Sequence, residues 1–152
     1  MQIVIAAVGR AKPGAERDLF DSYAGRLPWR VDLKEIEIKK ELATDVRRAR
    51  EGEALLAAIP EGARVVALDE RGRSEGSEVF AIRLGKWRDD GARSIAFLIG
   101  GADGLDEPLR KRADLVLSFG ALTWPHMLVR ALLAEQLYRA HTILTGHPYH
   151  RA

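Results

Sequence analysis

Short apolar runs rich in branched side chains alternate along almost the whole chain with longer segments whose apolar residues recur at helical spacing. This alternation is what most restricts the fold. Gln2 to Val8, ended by Gly9, reads as a buried parallel strand. After the Lys12-Pro13-Gly14 break, Glu16 to Leu27 places Leu19, Phe20, Tyr23 and Leu27 on one helical face, closed by Pro28. Val31 to Ile38 alternates apolar and charged residues with one slip of phase at Lys34-Glu35, which predicts a half-exposed strand near the sheet edge. Asp45 to Ile59 is a charged helix with Val46, Ala49, Leu55, Leu56 and Ile59 inward, stopped at Pro60-Glu61-Gly62. Ala63 to Leu68 is a strand with Asp69-Glu70-Arg71-Gly72 as its exit loop, and Ser77 to Arg88 is a helix ended by Gly91. Ser94 to Ile99, the most apolar strand, runs without a spacer into Gly100-Gly101-Ala102-Asp103-Gly104. Asp106 caps a short helix to about Lys111, and Leu115 to Leu117 is the last strand. Strand and helix in turn predict a three-layer α/β fold with a mainly parallel sheet.

The last strand leads into the stretch that organises the rest, Leu117 to Arg139. Thr123 is placed to accept a hydrogen bond from the first turn of a helix, and Pro125 just inside has no amide proton to leave unsatisfied. The helix runs towards Leu144 without Gly or Pro until Gly146. Its apolar residues cover most of its circumference, so it needs cover on more than one side. Glu135 and Arg139 stand one turn apart and can pair, while Arg130 sits among Leu and Val as either a snorkelling core arginine or a site residue. Phe119 to Trp124, just before the helix, is an uncharged loop whose backbone amides can face a ligand.

The 152 residues suit a single domain, residues 1–152, and 47% hydrophobic content supplies a core for it. No apolar run reaches the length of a membrane span, and the N-terminus reads as a strand rather than a signal peptide. With no cysteine there is no disulfide framework, thiolate nucleophile or thiolate metal site, and a cytoplasmic location is expected. The net charge of +2 and a pI near 9.1 are a mild pointer to a nucleic-acid partner. Arg47, Arg48 and Arg50, like the run Arg110-Lys111-Arg112, read as solvated helix faces.

Three loops leave strands at one carboxyl edge of the sheet: after Leu68, at Gly100 to Gly104, and at Phe119 to Trp124. Ligands bind at that edge in open α/β sheets. The glycines let the main chain approach a ligand closely, or simply turn. They do not form the Gly-x-Gly-x-x-Gly dinucleotide fingerprint or a phosphate loop. His147 and His150 have a zinc-like spacing, yet no cysteine or suitably placed acidic residue completes a ligand set, and no metal is expected. His126 is either a capping and orienting side chain or a site residue. The tail Gly146-His-Pro-Tyr-His-Arg-Ala152 is either a frayed end or an RNA-contacting segment, since it concentrates groups that stack on bases and contact phosphates.

Taken jointly, Leu98-Ile-Gly-Gly-x-x-Gly-Leu105, Leu117-Ser-Phe-x-x-Leu-Thr-x-Pro-His126, Arg130-x-x-Leu-x-Glu-Gln-Leu-Tyr-Arg-Ala140 and Pro148-Tyr-His-Arg151 resemble a known pattern. It is that of the RlmH family, SPOUT-class methyltransferases acting on N3 of a pseudouridine in 23S rRNA. The resemblance spans the chain in length and element order and is specific from about Leu68 onward. It implies a SPOUT α/β domain with a C-terminal trefoil knot, an exception to unknotted connections. It implies S-adenosylmethionine held by Leu68, Gly100, Phe119, Gly120, Ala121, Leu122, Thr123 and Trp124. It further implies a homodimer joined through the long C-terminal helix and a substrate on the assembled ribosome. Tyr149, His150 and Arg151 are the expected residues at the target base, with Arg130 and Arg139 as electrostatic support. The chain departs from the family pattern at Trp124, where a smaller apolar or Phe side chain is expected, and at Ala152, where a charged residue is frequent. Two other readings remain beside this one: a nucleotide-binding α/β enzyme of different chemistry, and a non-enzymatic ribosome-associated factor.

Overall fold

The computed structural model describes residues 1–151, so Ala152 lies outside the described residues. The elements are β1 (Gln2–Val8), α1 (Ala15–Ala24), β2 (Arg30–Ile36), α2 (Thr44–Ala57), β3 (Arg64–Arg73), α3 (Ser77–Asp89), β4 (Ser94–Ile99), α4 (Glu107–Arg112), β5 (Leu115–Leu117) and α5 (His126–Thr145). The five strands form one sheet in the order β2-β1-β4-β3-β5, and every pairing is parallel. Parallel neighbours require crossovers, and helices supply them.

Alternation along each strand divides the core into two. Ile3, Ile5, Ile95, Phe97 and Val66 face one side, where Phe20 of α1, Phe80 and Leu84 of α3, and Leu133 and Leu137 of α5 cover them. Ala6, Val65, Ala67 and Leu98 face the other, under Leu55 of α2 and Leu109 of α4. The central strand β4 is buried at every residue, as its unbroken apolar run requires. β2 is the half-exposed edge that its slipped alternation predicts. The long helix α5 is covered from two flanks, by α1 and by α3, while its inner face meets the sheet.

Two local expectations give way. Thr123 does not cap α5: the position before the first helical residue is Pro125, no side chain caps it, and the helix begins at His126. The residue before a proline is driven into extended backbone, so the chain stays extended through Trp124 and turns helical only after the ring. The segment Asp69 to Gly72 is not a free exit loop either, because β3 continues to Arg73. Beyond a register irregularity after Leu68, Arg73 pairs with Leu117 and accepts a hydrogen bond from the Ser118 amide at 2.9 Å. Gly72 makes this possible: a Cβ there would stand 2.6 Å from the Val116 carbonyl carbon and oxygen. By contrast, Asp106 caps α4 as expected, accepting from the Leu109 amide at 3.1 Å.

Candidate active site

The carboxyl ends of β3, β4 and β5 open into one cleft of about 810 Å3. Leu68, Gly100, Phe119, Gly120, Leu122, Thr123 and Trp124, expected from the sequence, all line it; Ala121, the eighth, does not. One wall is the turn Gly100–Gly104, closed by a hydrogen bond of 3.0 Å from the Gly104 amide to the Gly101 carbonyl. It has no space for a side chain at Gly100, where a Cβ would lie 2.8 Å from the Gly104 carbonyl carbon. The facing wall is the loop after β5. There the Ser118 hydroxyl both accepts from the Gly120 amide and donates to the Gly120 carbonyl, each at 3.1 Å. Gly120 takes a φ of 109°, open to glycine and strained for other residues. The Trp124 indole folds back on this loop, its Nε1 donating to the Phe119 carbonyl at 3.3 Å. The amides of Leu122, Thr123 and Trp124 make no hydrogen bond among the described residues and remain available to a ligand.

The cleft also holds residues not singled out from the sequence. Asp69 and Arg71, within the segment recognised only as a loop, form a forked pair with three contacts of 2.9 Å. Burial alone would raise the Asp69 acid, but hydrogen bonds from the Arg71 guanidinium and amide outweigh it and hold the carboxyl below its ordinary range. Arg71 reaches on to the Leu105 carbonyl at 3.3 Å, tying the rim of β3 to the chain after the glycine turn. Arg48 of α2 lines the cleft as well, although its cluster reads as a solvated face. Nothing local in the sequence distinguishes it from Arg47, which instead donates to the carbonyls of Ile38 at 3.1 Å and Lys40 at 2.9 Å. His126 lines the cleft at the start of α5, with its Nε2 close against Gly9. No group of three or more potential metal-ligating side chains occurs among the described residues.

The tail forms a second cluster on α5. Glu135 Oε1 accepts from Arg139 at 2.6 and 2.9 Å and from the Tyr149 hydroxyl at 3.0 Å. The Arg139 guanidinium stands over the Tyr149 ring, 4.9 Å from its centroid, and contacts His150 Nδ1 at 3.1 Å. Burial first, then hydrogen bonding with Tyr23 and Glu135, pushes the Tyr149 phenol far above its usual range. The tail is thus docked rather than frayed, although Arg151 is exposed. Glu135 also lines a recess of about 400 Å3 shared with Phe119, Gly120 and Trp124, so the tail cluster borders the loop of the cleft.

Arg130 belongs to neither group. It is 2% exposed and lies under the ends of β1 and β2, donating to Glu35 Oε2 at 2.7 Å and to the Gly9 carbonyl at 2.9 Å. Arg139, Tyr149 and His150 are therefore brought together, and Arg130 is apart from them.

A parallel sheet whose carboxyl edge carries a glycine-rich turn and a loop with unbonded amides defines an α/β domain that binds a nucleotide-like ligand. More narrowly, the chain belongs to the SPOUT methyltransferase family, whose model, described as a predicted SPOUT methyltransferase, matches residues 1–150. It is 60% identical over 152 residues, all of both chains, to the ribosomal RNA large subunit methyltransferase H of Rhodospirillum centenum. It is 64% identical over 151 residues, 99% of each chain, to the protein of the same name from Paramagnetospirillum magneticum.

Proposed function

We propose that the chain transfers a methyl group from S-adenosylmethionine to N3 of a pseudouridine in 23S rRNA, acting as a homodimer on the assembled ribosome. The observation that carries this reading is the convergence of all three turns on one cleft in a chain that aligns end to end with large-subunit rRNA methyltransferases. The cleft suits the donor. Leu68, Leu122 and Phe119 offer apolar walls for the adenine, the amides of Leu122, Thr123 and Trp124 offer donors, and Gly100 leaves the wall open for close approach. When bound, S-adenosylmethionine supplies an electrophilic methyl group on a sulfonium. A knotted passage of the chain through this region is part of the same proposal, and the close crossing of Gly72 over the backbone of β5 is compatible with it.

The rest of the work falls to the protein. Transfer to a ring nitrogen needs alignment above all, and the imide must also lose its N3 proton. Tyr149 stays a neutral phenol at physiological pH, so it serves as a hydrogen-bond donor and stacking surface rather than as the base. His150 Nδ1 stands 3.1 Å from the Arg139 guanidinium, which can only donate, so that nitrogen is the acceptor of this contact, while Nε2 stands 3.5 Å from Glu78 Oε1. Before His150 can take a proton through Nδ1 it must leave Arg139, and Arg139 then faces the developing imidate charge. Arg151, exposed at the end of the tail, is placed to meet RNA phosphate. Arg130 acts through the structure under β1 rather than on the base.

The test is methyl transfer from labelled S-adenosylmethionine to ribosomes lacking the modification, with the product nucleotide mapped. Label at pseudouridine N3, and weak or no label on a short naked transcript, is the expected result. Binding to ribosomes without transfer, or preference for NAD or FMN over S-adenosylmethionine, would replace this reading. Equal rates on transcript and ribosome would remove the assembled ribosome from it.

A further inference from the structure

Behind the glycine turn stands a buried carboxyl that none of the chemistry above uses. Glu51 of α2 is 6% exposed, and its Oε1 is closed off from solvent with no hydrogen-bond partner among the described residues. A carboxyl is almost never buried this deeply without a partner, so its position needs a reason. Its other oxygen meets the turn: Oε2 lies 3.5 Å from where a Cβ on Gly101 would stand, and Val8 Cγ1 lies 3.0 Å from the same point. The next residue of α2 supports the far end of the segment, since a Cβ on Gly52 would be 3.1 Å from Asp106 Oδ1. The Glu51-Gly52 step therefore meets the segment at Gly101 and at Asp106, and Gly100 to Gly104 of that segment line the cleft.

The charges around Glu51 do not compensate it. Arg47, one turn earlier on α2, is the cation that acts on it, but its guanidinium is engaged with the carbonyls of Ile38 and Lys40. Arg48 pairs with Asp45 at the cleft. Asp103 adds like charge from the turn itself, and Asp106 stands beside Gly52. From the sheet, Val8 contributes only an apolar surface. Burial pushes the Glu51 acid above its ordinary range, Arg47 opposing and Asp103 reinforcing the effect. Ionisation leaves Oε1, shut off from water and without a partner, unsolvated, and that cost is relieved where the packing of the carboxyl against the turn opens.

We propose that Glu51 is a positioning residue for the methyl-donor cleft: its neutral carboxyl seats the turn Gly100–Gly104, and its ionisation unseats it. The proposal rests on the reading of the cleft as the donor site. Because the donor binds the seated turn, its affinity falls as pH rises through the titration of Glu51, and binding in turn favours the protonated acid.

The test uses the full chain, with S-adenosylhomocysteine binding followed by calorimetry from the ordinary carboxylate range upward over every pH at which the chain stays folded, and amide exchange of residues 101–104 followed without ligand. Wild type should lose affinity several-fold as pH rises. Glu51→Gln, which keeps the shape and cannot ionise, should hold the acidic-side affinity throughout. At each pH above the point where wild type loses affinity, the turn amides should exchange faster in wild type than in Glu51→Gln. Glu51→Ala should bind weakly at every pH, and if it does not fold, Glu51→Gln decides alone. Equal slopes of affinity against pH in wild type and Glu51→Gln, or equal exchange of the turn, would overturn the proposal. An exchange difference with no S-adenosylhomocysteine binding at any pH would instead remove the donor site and leave the positioning role standing.

Discussion

Arg130 carries a full charge at 2% exposure, and its stability rests on named partners: Glu35 at 2.7 Å, the Gly9 carbonyl at 2.9 Å and the Val8 carbonyl at 3.3 Å. Glu35 in turn accepts from the Ala11 amide at 2.6 Å, so the pair fixes the chain leaving β1. Arg130→Ala removes the charge and the filling together and should cost on the order of 3 kcal/mol in denaturant unfolding. Arg130→Met restores the filling and should recover part of that loss. Burial alone would raise the Glu35 acid, but hydrogen bonds from Arg130 and Ala11 outweigh it and hold it below its ordinary range. A carboxyl lowered in the folded state stabilises above the unfolded value and loses that contribution as pH falls through the folded one. Wild type should therefore weaken on acidification, below the ordinary carboxylate range, more steeply than Glu35→Gln; parallel acid limbs in pH-dependent unfolding would show that this pair contributes nothing. The sequence leaves Arg130 between core and site because its decisive partner stands 95 residues away.

At the scale of elements, what the sequence discloses depends on whether an element is defined by its own residues or by its neighbours. Ser94–Ile99 is legible to the residue because burial on both faces demands an unbroken apolar run, and Leu115–Leu117, though an edge strand with Val116 half-buried, is legible as a short apolar run. The extension of β3 through Glu70, Arg71 and Gly72 is not legible, since its polar residues look like a loop and only the pairing of Arg73 with Leu117 makes them a strand. The start of α5 is missed for a different reason: Thr123 has the right chemistry for a cap, but Pro125 rather than Thr123 decides where helical backbone can begin. The cleft is legible as three converging turns, whereas Arg48, Asp69 and Arg71 enter it only through tertiary placement. Two glycines give the sharpest tests. Gly72→Ala drives a methyl into the Val116 backbone, which cannot move aside as a side chain does, and should destabilise by about 1–3 kcal/mol in thermal or denaturant unfolding. Gly100→Ala meets the Gly104 carbonyl and should deform the turn, with S-adenosylhomocysteine affinity falling at least about tenfold, an order set by the geometric demands of a preformed site.

For the whole molecule, the proposed homodimer makes it testable whether each cleft is completed by its own tail or by its partner's. Leu128, Leu132 and Gln136 succeed one another on α5 and are only half-buried within the protomer, and Leu132 opens onto the recess beside Trp124. Leu122, 72% exposed, and Trp124, 40% exposed, add apolar surface at the cleft, of the kind that a partner normally covers. If the proposed homodimer forms through this surface, a charge in it, Leu132→Glu, should shift the protein towards monomer in sedimentation and reduce methylation with it. Mixing two inactive chains then decides how the tail is used. At a donor concentration well below its raised Kd, Gly100→Ala disables a cleft and leaves a sound tail, while His150→Ala disables a tail and leaves a sound cleft. If the tail works across the interface, a mixed dimer contains one sound cleft completed by the sound tail of the other subunit. Random exchange makes half of the dimers mixed, each with one working site of two, so activity should return to about a quarter of wild type, an expectation that follows from two-fold symmetry alone. If the tail works within its own subunit, every site in the mixture lacks one part or the other, and the mixture stays as inactive as its components.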